Sequence, residues 1–320
     1  MIEIKNLTKQ FKDIKAVDNV SLKIEEGEIF GLLGPNGAGK STLIHLLSTV
    51  IKPDSGTALI NGYDLIKNPF KVRKSMSISF QDPKLDWQLN LTETLNWHGR
   101  VWRVPATELN IRINEIVKVL KLQDLTKKKN WKLSGGTRKK VEVARTLIVR
   151  PKIAVFDEPT AFLDPNMKEI IWNYIRELRK EGSTIILATN LMHEADILSD
   201  RVAIMDKGKI ITIDTPEALK ASIPGGDVIY INVNNKSGII ELDPIINELK
   251  KEDTIKDVLI NELKSPNEIE IKILLNNAKK MTSTILKLFQ ENGVIIKNFE
   301  MTNPNLDDVF FYYTKSTLKT

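Results

Sequence analysis

Residues 29–50 read IFGLLGPNGAGKSTLIHLLSTV. An apolar run with strand character stops at Gly34 and a helix-like segment opens at Ser41. The glycine-rich piece between them must therefore turn a buried strand tightly into a helix. GPNGAGKS (34–41) fits G-x-x-x-x-G-K-[S/T], and a preceding strand and following helix are the context that pattern needs. Gly34, Gly37 and Gly39 let the backbone turn so that its N–H groups cradle phosphates at a helix N-terminus. Lys40 is placed to hold β- and γ-phosphates, and Ser41 to ligate Mg²⁺. A strand, loop and helix of this kind belong in a parallel α/β sheet, with the loop at the C-terminal edge of a strand.

IAVFDEP (153–159) supplies the natural complement. Its apolar strand delivers Asp157 to the same sheet edge, where a carboxylate can hold the Mg²⁺ shell. The adjacent Glu158 can orient and deprotonate an attacking water, and general-base assistance is worth about 10²–10⁴-fold. LSGGTRKK (133–140) forms a third piece. Ser134, Gly135 and Gly136 lead into the apolar-periodic VEVARTLIV and expose another helix N-terminus suited to an anion, although Ser-Gly-Gly by itself is usually a cap. Arg138, Lys139 and Lys140 occupy the first turn, where the helix dipole disfavours cations. A docked polyphosphate would relieve that conflict, as would side chains pointing into solvent.

Short apolar runs alternate with amphipathic stretches from residue 1 to about 220, the pattern of a mostly parallel sheet. IFGLLG, IAVF, TIILAT (184–189) and RVAIMDKGKII (201–211) read as strands. The helix-like stretch from Asp82 to about Leu133 holds Trp87, Trp97, Trp102 and Trp131, which suggests a small packed subdomain. IPGGD (223–227) is a turn-rich break. Strand, helix, strand, strand, helix, strand then follow, a ferredoxin-like βαββαβ order closed by the amphipathic LDDVFFYYT. The expected organisation is an α/β domain over 1–222, with its helical subdomain at about 82–135, followed by a small α+β domain over 226–320. With no cysteine, disulfides, zinc–thiolate sites and thiol nucleophiles are excluded. The net charge of +6 is a mild bias that a lysine-rich solvated surface explains. No signal peptide or membrane-spanning run is expected.

Taken together, GPNGAGKST, LSGGT and VFDEP, in this order and spacing, resemble the ATP-binding cassette (ABC) ATPase family over essentially all of residues 1–220. The resemblance implies an ABC ATPase core of mixed sheet plus helical subdomain, with ATP and Mg²⁺ bound along Gly34, Pro35, Asn36, Gly37, Ala38, Gly39, Lys40, Ser41 and Thr42. Phe11 matches the aromatic that stacks on adenine, with Val17 beside it. Gln81 matches the glutamine that reaches Mg²⁺ and senses the γ-phosphate, and Asp164 the aspartate that crosses a dimer interface. Two such domains pair head to tail in this family, so that Ser134, Gly135 and Gly136 close over the other subunit's nucleotide. A second ATPase subunit, identical or different, and integral-membrane permease subunits are the implied partners. The implied location is the cytoplasmic face of the cell membrane. LDWQLNLTETLNWHGRVW, after Gln81, is the expected docking region for the permease, unless its tryptophans fill the subdomain core. The tail resembles that of daunorubicin-resistance-type exporter ATPases, which points to a drug-like or lipid-like cargo.

Asn190 departs from the family, which has histidine there. An amide can donate to a γ-phosphate, but it is shorter and carries neither charge nor proton. Slow but real hydrolysis is expected, or a weaker half-site in an unequal pair. His193, one helical turn on, is expected to be an exposed helix residue rather than a replacement. The alternative of a soluble ABC ATPase acting on nucleic acid or ribosomes calls for an inserted coiled coil or a second cassette. This sequence has neither, so no nucleic-acid partner is expected.

Overall fold

The computed structural model describes residues 1–234, 242–262 and 268–314. The parts of the expected C-terminal domain at 235–241, 263–267 and 315–320 lie outside the described residues. The chain divides into two compact units, Met1–Thr215 and Pro216–Leu318.

In the first unit, β1 (Ile2–Phe11) and β2 (Ile14–Ile24) form a hairpin. β3 (Ile29–Leu33) feeds the glycine-rich loop and α1 (Lys40–Leu47). β4 (Ser55–Ile60) and β5 (Tyr63–Asp64) complete an antiparallel sheet of order β2-β1-β4-β5. α2 (Pro69–Ser75) leads into β6 (Met76–Ser79). Three helices follow: α3 (Leu91–Val101), α4 (Ala106–Val119) and α5 (Gly135–Val149). β7 (Ile153–Asp157), α6 (Pro165–Lys180), β8 (Thr184–Thr189), α7 (Met192–Leu198), β9 (Arg201–Asp206) and β10 (Lys209–Asp214) finish the unit. The second sheet runs β10-β9-β3-β8-β7-β6, parallel except for the β9–β10 pair.

Two expectations change here. The single strand expected over 201–211 is a hairpin, because Lys207 and Gly208 both take positive φ and reverse the chain. The "mostly parallel" reading holds for the second sheet alone. The first is built of antiparallel neighbours, its hairpin joined by a connection too short to allow a parallel crossover.

Every residue of β3, β7 and β8 is buried, since both faces of the sheet are covered. Alternate residues serve opposite cores. Phe30, Leu32, Val155 and Ile186 pack with α1 and the antiparallel sheet. Ile29, Phe156, Ile185 and Leu187 pack with α5 and α6. That second core continues without a break into Leu91, Leu95, Leu109 and Ile113 of the helical stretch, so the helical stretch packs on the same core as α5 and α6. Its tryptophans do not fill that core: Trp87, Trp97 and Trp131 are 60%, 61% and 56% exposed, and only Trp102 packs against the cluster. Leucines and isoleucines at three- and four-residue spacing occupy the interior face instead.

The second unit begins with α8 (Pro216–Ala221) and continues β11 (Asp227–Asn234), α9 (Leu242–Leu249), β12 (Ile255–Glu262), β13 (Glu268–Leu275), α10 (Ala278–Glu291), β14 (Ile296–Thr302) and α11 (Leu306–Thr314). Its antiparallel sheet has the order β12-β13-β11-β14, the ferredoxin-like arrangement. Residues of α9 and α10 bury one face of it, with Ile231, Ile271, Ile285 and Phe289 fully enclosed. On the opposite face Asp308 of α11 accepts from Tyr230 and pairs with the buried Lys272 at 3.1 Å. Among the described residues, no helix is long and apolar enough to cross a membrane.

Candidate functional site

The loop after β3 takes its path from contacts that admit only glycine at two points. A Cβ on Gly34 would lie 2.2 Å from the Met205 carbonyl oxygen. At Gly39, where φ is +107°, it would lie 2.1 Å from the carbonyl oxygen of Ala16. These approaches press the loop against β2 and β9 and point the first turn of α1 into a cavity of about 510 Å³. Pro35, Asn36, Gly37, Lys40, Ser41 and Thr42 line it, facing Gln81 and Glu158. Ala38 is buried in the core beneath. The Lys40 ammonium is buried, donates to the carbonyls of Gly34 (2.7 Å) and Pro35 (3.1 Å), and is pulled below its ordinary pKa by burial, against the opposing charges of Glu158 and Asp157.

β7 brings two carboxylates to this cavity by different routes. Asp157 is buried, its Oδ1 has no hydrogen-bond partner, and burial raises its pKa against a hydrogen bond from Ser41. A buried carboxylate oxygen left unpaired, with a hydroxyl beside the carboxylate, offers the oxygen ligands a hard cation takes together with phosphate, so Asp157 and Ser41 fit Mg²⁺. Glu158 turns out of the strand at φ +48°, a region that costs an ordinary residue of order 1–3 kcal/mol. Its N–H donates to Ala188 at 2.8 Å, and its Oε2 accepts from Gln81 Nε2 at 3.3 Å. Burial, the largest cause, holds its carboxyl above the ordinary value; Lys40 opposes this and Asp157 adds to it.

The remaining candidate residues stand elsewhere. Asn190 is the first residue beyond β8, the strand whose Ala188 holds the Glu158 amide. His193 is an exposed residue of α7 with its ring edge-on to Trp172 at 5.8 Å. Phe11 is 49% exposed, with the Lys9 ammonium 5.5 Å from its ring centre, while Val17 is wholly buried in the core and does not line the cavity. Ile14, Lys15 and Ala16 line that end of the cavity.

Ser134, Gly135, Gly136 and Asp164 do not line the cavity and form a second surface. Ser134 caps α5, accepting from the Thr137 N–H, and Asp164 caps α6, accepting from the Met167 N–H at 3.0 Å. Gly136 and the backbone of Phe162 are neighbours, and the Phe162 side chain is 98% exposed.

The basic run after the signature divides three ways. Arg138 stacks over Trp87 at 5.4 Å, Lys140 reaches the Leu120 carbonyl, and Lys139 is buried beneath Gln81 and Asp157. No functional role was expected of Lys139, yet a signal existed. Lys139, Glu142, Val143 and Thr146 sit at helical spacing on the buried stripe of α5.

A family model described as "ABC transporter" matches residues 17–161. The chain is 32% identical to the doxorubicin resistance ATP-binding protein DrrA of Mycobacterium tuberculosis, over 94% of this chain and 89% of that protein. This chain belongs to the ABC transporter family. The daunorubicin resistance ATP-binding protein DrrA3 of Streptomyces coeruleorubidus is 30% identical to it over 98% of this chain and 95% of that protein. An ATP-binding subunit of an ABC transporter superposes with a TM-score of 0.65 at 25% identity, covering 69% of this chain and 92% of its own. A dimeric cassette in a post-hydrolysis state with ADP and Pi gives 0.62 at 27%, covering 67% and 98%. The cassette is thus a nucleotide-binding ATPase subunit.

Proposed function

We propose that this cassette powers an exporter of amphipathic, drug-like or lipid-like molecules, driving a membrane permease from its cytoplasmic face by ATP-dependent closure of two ATPase subunits. The drug resistance for which these relatives are named, and their match through the second unit as well, support export. The observation that carries closure is the signature itself. Gly135 has nothing within 4 Å of an added Cβ, and Gly136 only ordinary contacts, the nearest at 3.6 Å, so no neighbour in this chain demands glycine at either position. Glycine in a helix costs about 0.5–1 kcal/mol relative to alanine. A backbone left bare at an exposed helix N-terminus suits close approach by an anion from outside the chain, here the γ-phosphate of ATP held by a second subunit.

Within the cavity, Lys40 and the loop amides would hold the phosphates, and Ser41 and Asp157, with Gln81, would hold Mg²⁺. The ion would neutralise phosphate charge. Glu158 takes the proton of the attacking water, Gln81 orients the Glu158 carboxylate, and Asn190 donates to the γ-phosphate from the neighbouring strand end. Closure follows because only a nucleotide with its γ-phosphate touches both surfaces, so ATP favours the closed pair and ADP does not. ATPase activity that rises more steeply than linearly with protein concentration, together with an ATP-trapped dimer of Glu158→Gln on gel filtration, tests this. Strictly linear rates and a monomer in both nucleotide states would exclude it.

Two further outcomes are expected. Asn190→His raises turnover, because a hydrogen bond to a charged group is worth about 1.5–3 kcal/mol, or about 10–100-fold in rate; steady-state phosphate release reads it, and an unchanged rate shows that Asn190 is not limiting. The pH dependence follows from Glu158, which works as a base only when ionised. Since burial raises its pKa, the acid limb of turnover lies above the ordinary carboxylate range, the rate falling as pH drops through the raised value. A limb at or below the ordinary value of 4.5 contradicts this.

A further inference from the structure

Lys139 lies in the first turns of α5 and is 3% exposed. A lysine ammonium has three donors, and each here meets a main-chain carbonyl: Phe80 at 2.9 Å, Gln81 at 3.1 Å and Asp157 at 2.9 Å. Burying a cation is costly unless its donors are satisfied, and this site satisfies all three with backbone. Burial also pulls the ammonium below its ordinary pKa, with the charges of Asp157, Glu142, Glu158 and Glu194 opposing.

The acceptors come from two separate strand ends, and two of them belong to peptides that carry the proposed hydrolytic residues. The Asp157 carbonyl shares its peptide plane with the N–H of Glu158, which donates to Ala188 at 2.8 Å. That plane is therefore held at both ends, with Glu158 emerging from it at φ +48°. The Gln81 carbonyl anchors the residue whose side chain donates to Glu158 at 3.3 Å. Lys139 thus grips the backbone on both sides of one side-chain contact. The rest of the buried stripe of α5 holds the same loop. Glu142 accepts from the Phe80 N–H at 3.4 Å, and Arg145 donates to Lys84 at 2.8 Å and to Glu142 at 3.0 Å.

We propose that Lys139 is a positioning residue for hydrolysis: from the helix whose N-terminus is Ser134 to Gly136, it holds the Gln81 and Glu158 backbones in one geometry, so that displacement of this helix brings both side chains into place or withdraws both. This role rests on the assignment of Glu158 as the base.

The test uses the full chain, with Lys139→Met and Lys139→Gln each made alone and combined with Glu158→Gln. ATP affinity is read with a fluorescent ATP analogue and turnover by phosphate release. Lys139→Met is expected to lower kcat by about 10²-fold, the cost of a displacement near 1 Å, with ATP affinity unchanged because the Lys40 loop is untouched. Lys139→Gln, which keeps two N–H donors on a shorter, uncharged side chain, is expected to recover part of the rate, and it carries the test if Lys139→Met fails to bind ATP. Neither substitution is expected to slow Glu158→Gln further, since residues that act as a unit are not additive. Wild-type kcat in either single variant that binds ATP, a loss of affinity that matches the loss of rate, loss of ATP binding in both variants, or additivity with Glu158→Gln would overturn the proposal. Wild-type turnover in Glu158→Gln alone is a different failure, because it removes the base assignment itself.

Discussion

Glu158→Gln is expected to release phosphate from Mg²⁺-ATP about 10²–10⁴-fold more slowly than the unaltered chain, and to bind ATP undiminished. The amide has the shape of the carboxylate and can still accept from Gln81, whose Nε2 lies 3.3 Å from Glu158 Oε2, but it cannot take up the proton of water. Binding is expected to survive because Lys40 and the loop amides, the proposed phosphate-holding groups, are unchanged. The same substitution has a second expected result in stability. Burial raises the Glu158 pKa in the folded chain, so the stability this group contributes is fully present below its unfolded pKa and is lost as pH rises through the folded value. Glutamine has no such loss, so near pH 7 the variant melts no lower than the unaltered chain. Phosphate release, nucleotide binding and a thermal melt at two pH values check both results. A rate close to the unaltered one removes Glu158 from the chemistry.

Gly136→Ala separates function from folding at the other surface. The added methyl has ordinary contacts, the nearest 3.6 Å from the Phe162 carbonyl oxygen, and alanine in a helix is favoured by about 0.5–1 kcal/mol over glycine. The melting temperature is therefore expected to hold or rise. Turnover is expected to fall by about 10²-fold, because in the proposed closure the methyl stands where the phosphate of a second subunit's nucleotide approaches the backbone, and a displacement near 1 Å costs that much. ATP affinity at low protein concentration is expected to stay the same, since Lys40 and its loop belong to the other surface. A lower melting temperature with proportionate loss of rate would show that the glycine serves the fold of this chain after all.

Much of this was legible in the sequence where the determinant is local. The strand, loop and helix of residues 29–47 follow from a turn that needs glycine and a periodicity that changes from strand to helix. The βαββαβ order of the second unit is likewise written in successive apolar runs, and it closes into a β12-β13-β11-β14 sheet. The hairpin at Lys207–Gly208 was also signalled locally, by the polar and glycine residues Asp206, Lys207, Gly208 and Lys209 between two apolar runs. The outward tryptophans had no such signal. Trp87, Trp97 and Trp131 are exposed because leucines and isoleucines already fill the volume between α3, α4 and α5, and that volume is set by three helices together.

Sequence alone determined which chemical groups this protein has and which of them follow a strand or open a helix, because those relations span a few residues and are governed by backbone sterics and periodicity. Tertiary structure decided the rest. It placed Glu158 at positive φ under a bond to Ala188, left Asp157 Oδ1 unpaired beside Ser41, buried Val17 in the core and drew Lys139 out of a basic run. Three carbonyls from two strands converge on that lysine only after the sheet and α5 have packed. The energy of a buried charge is set by what surrounds it in space, and for Lys139 those surroundings come from residues distant in the chain.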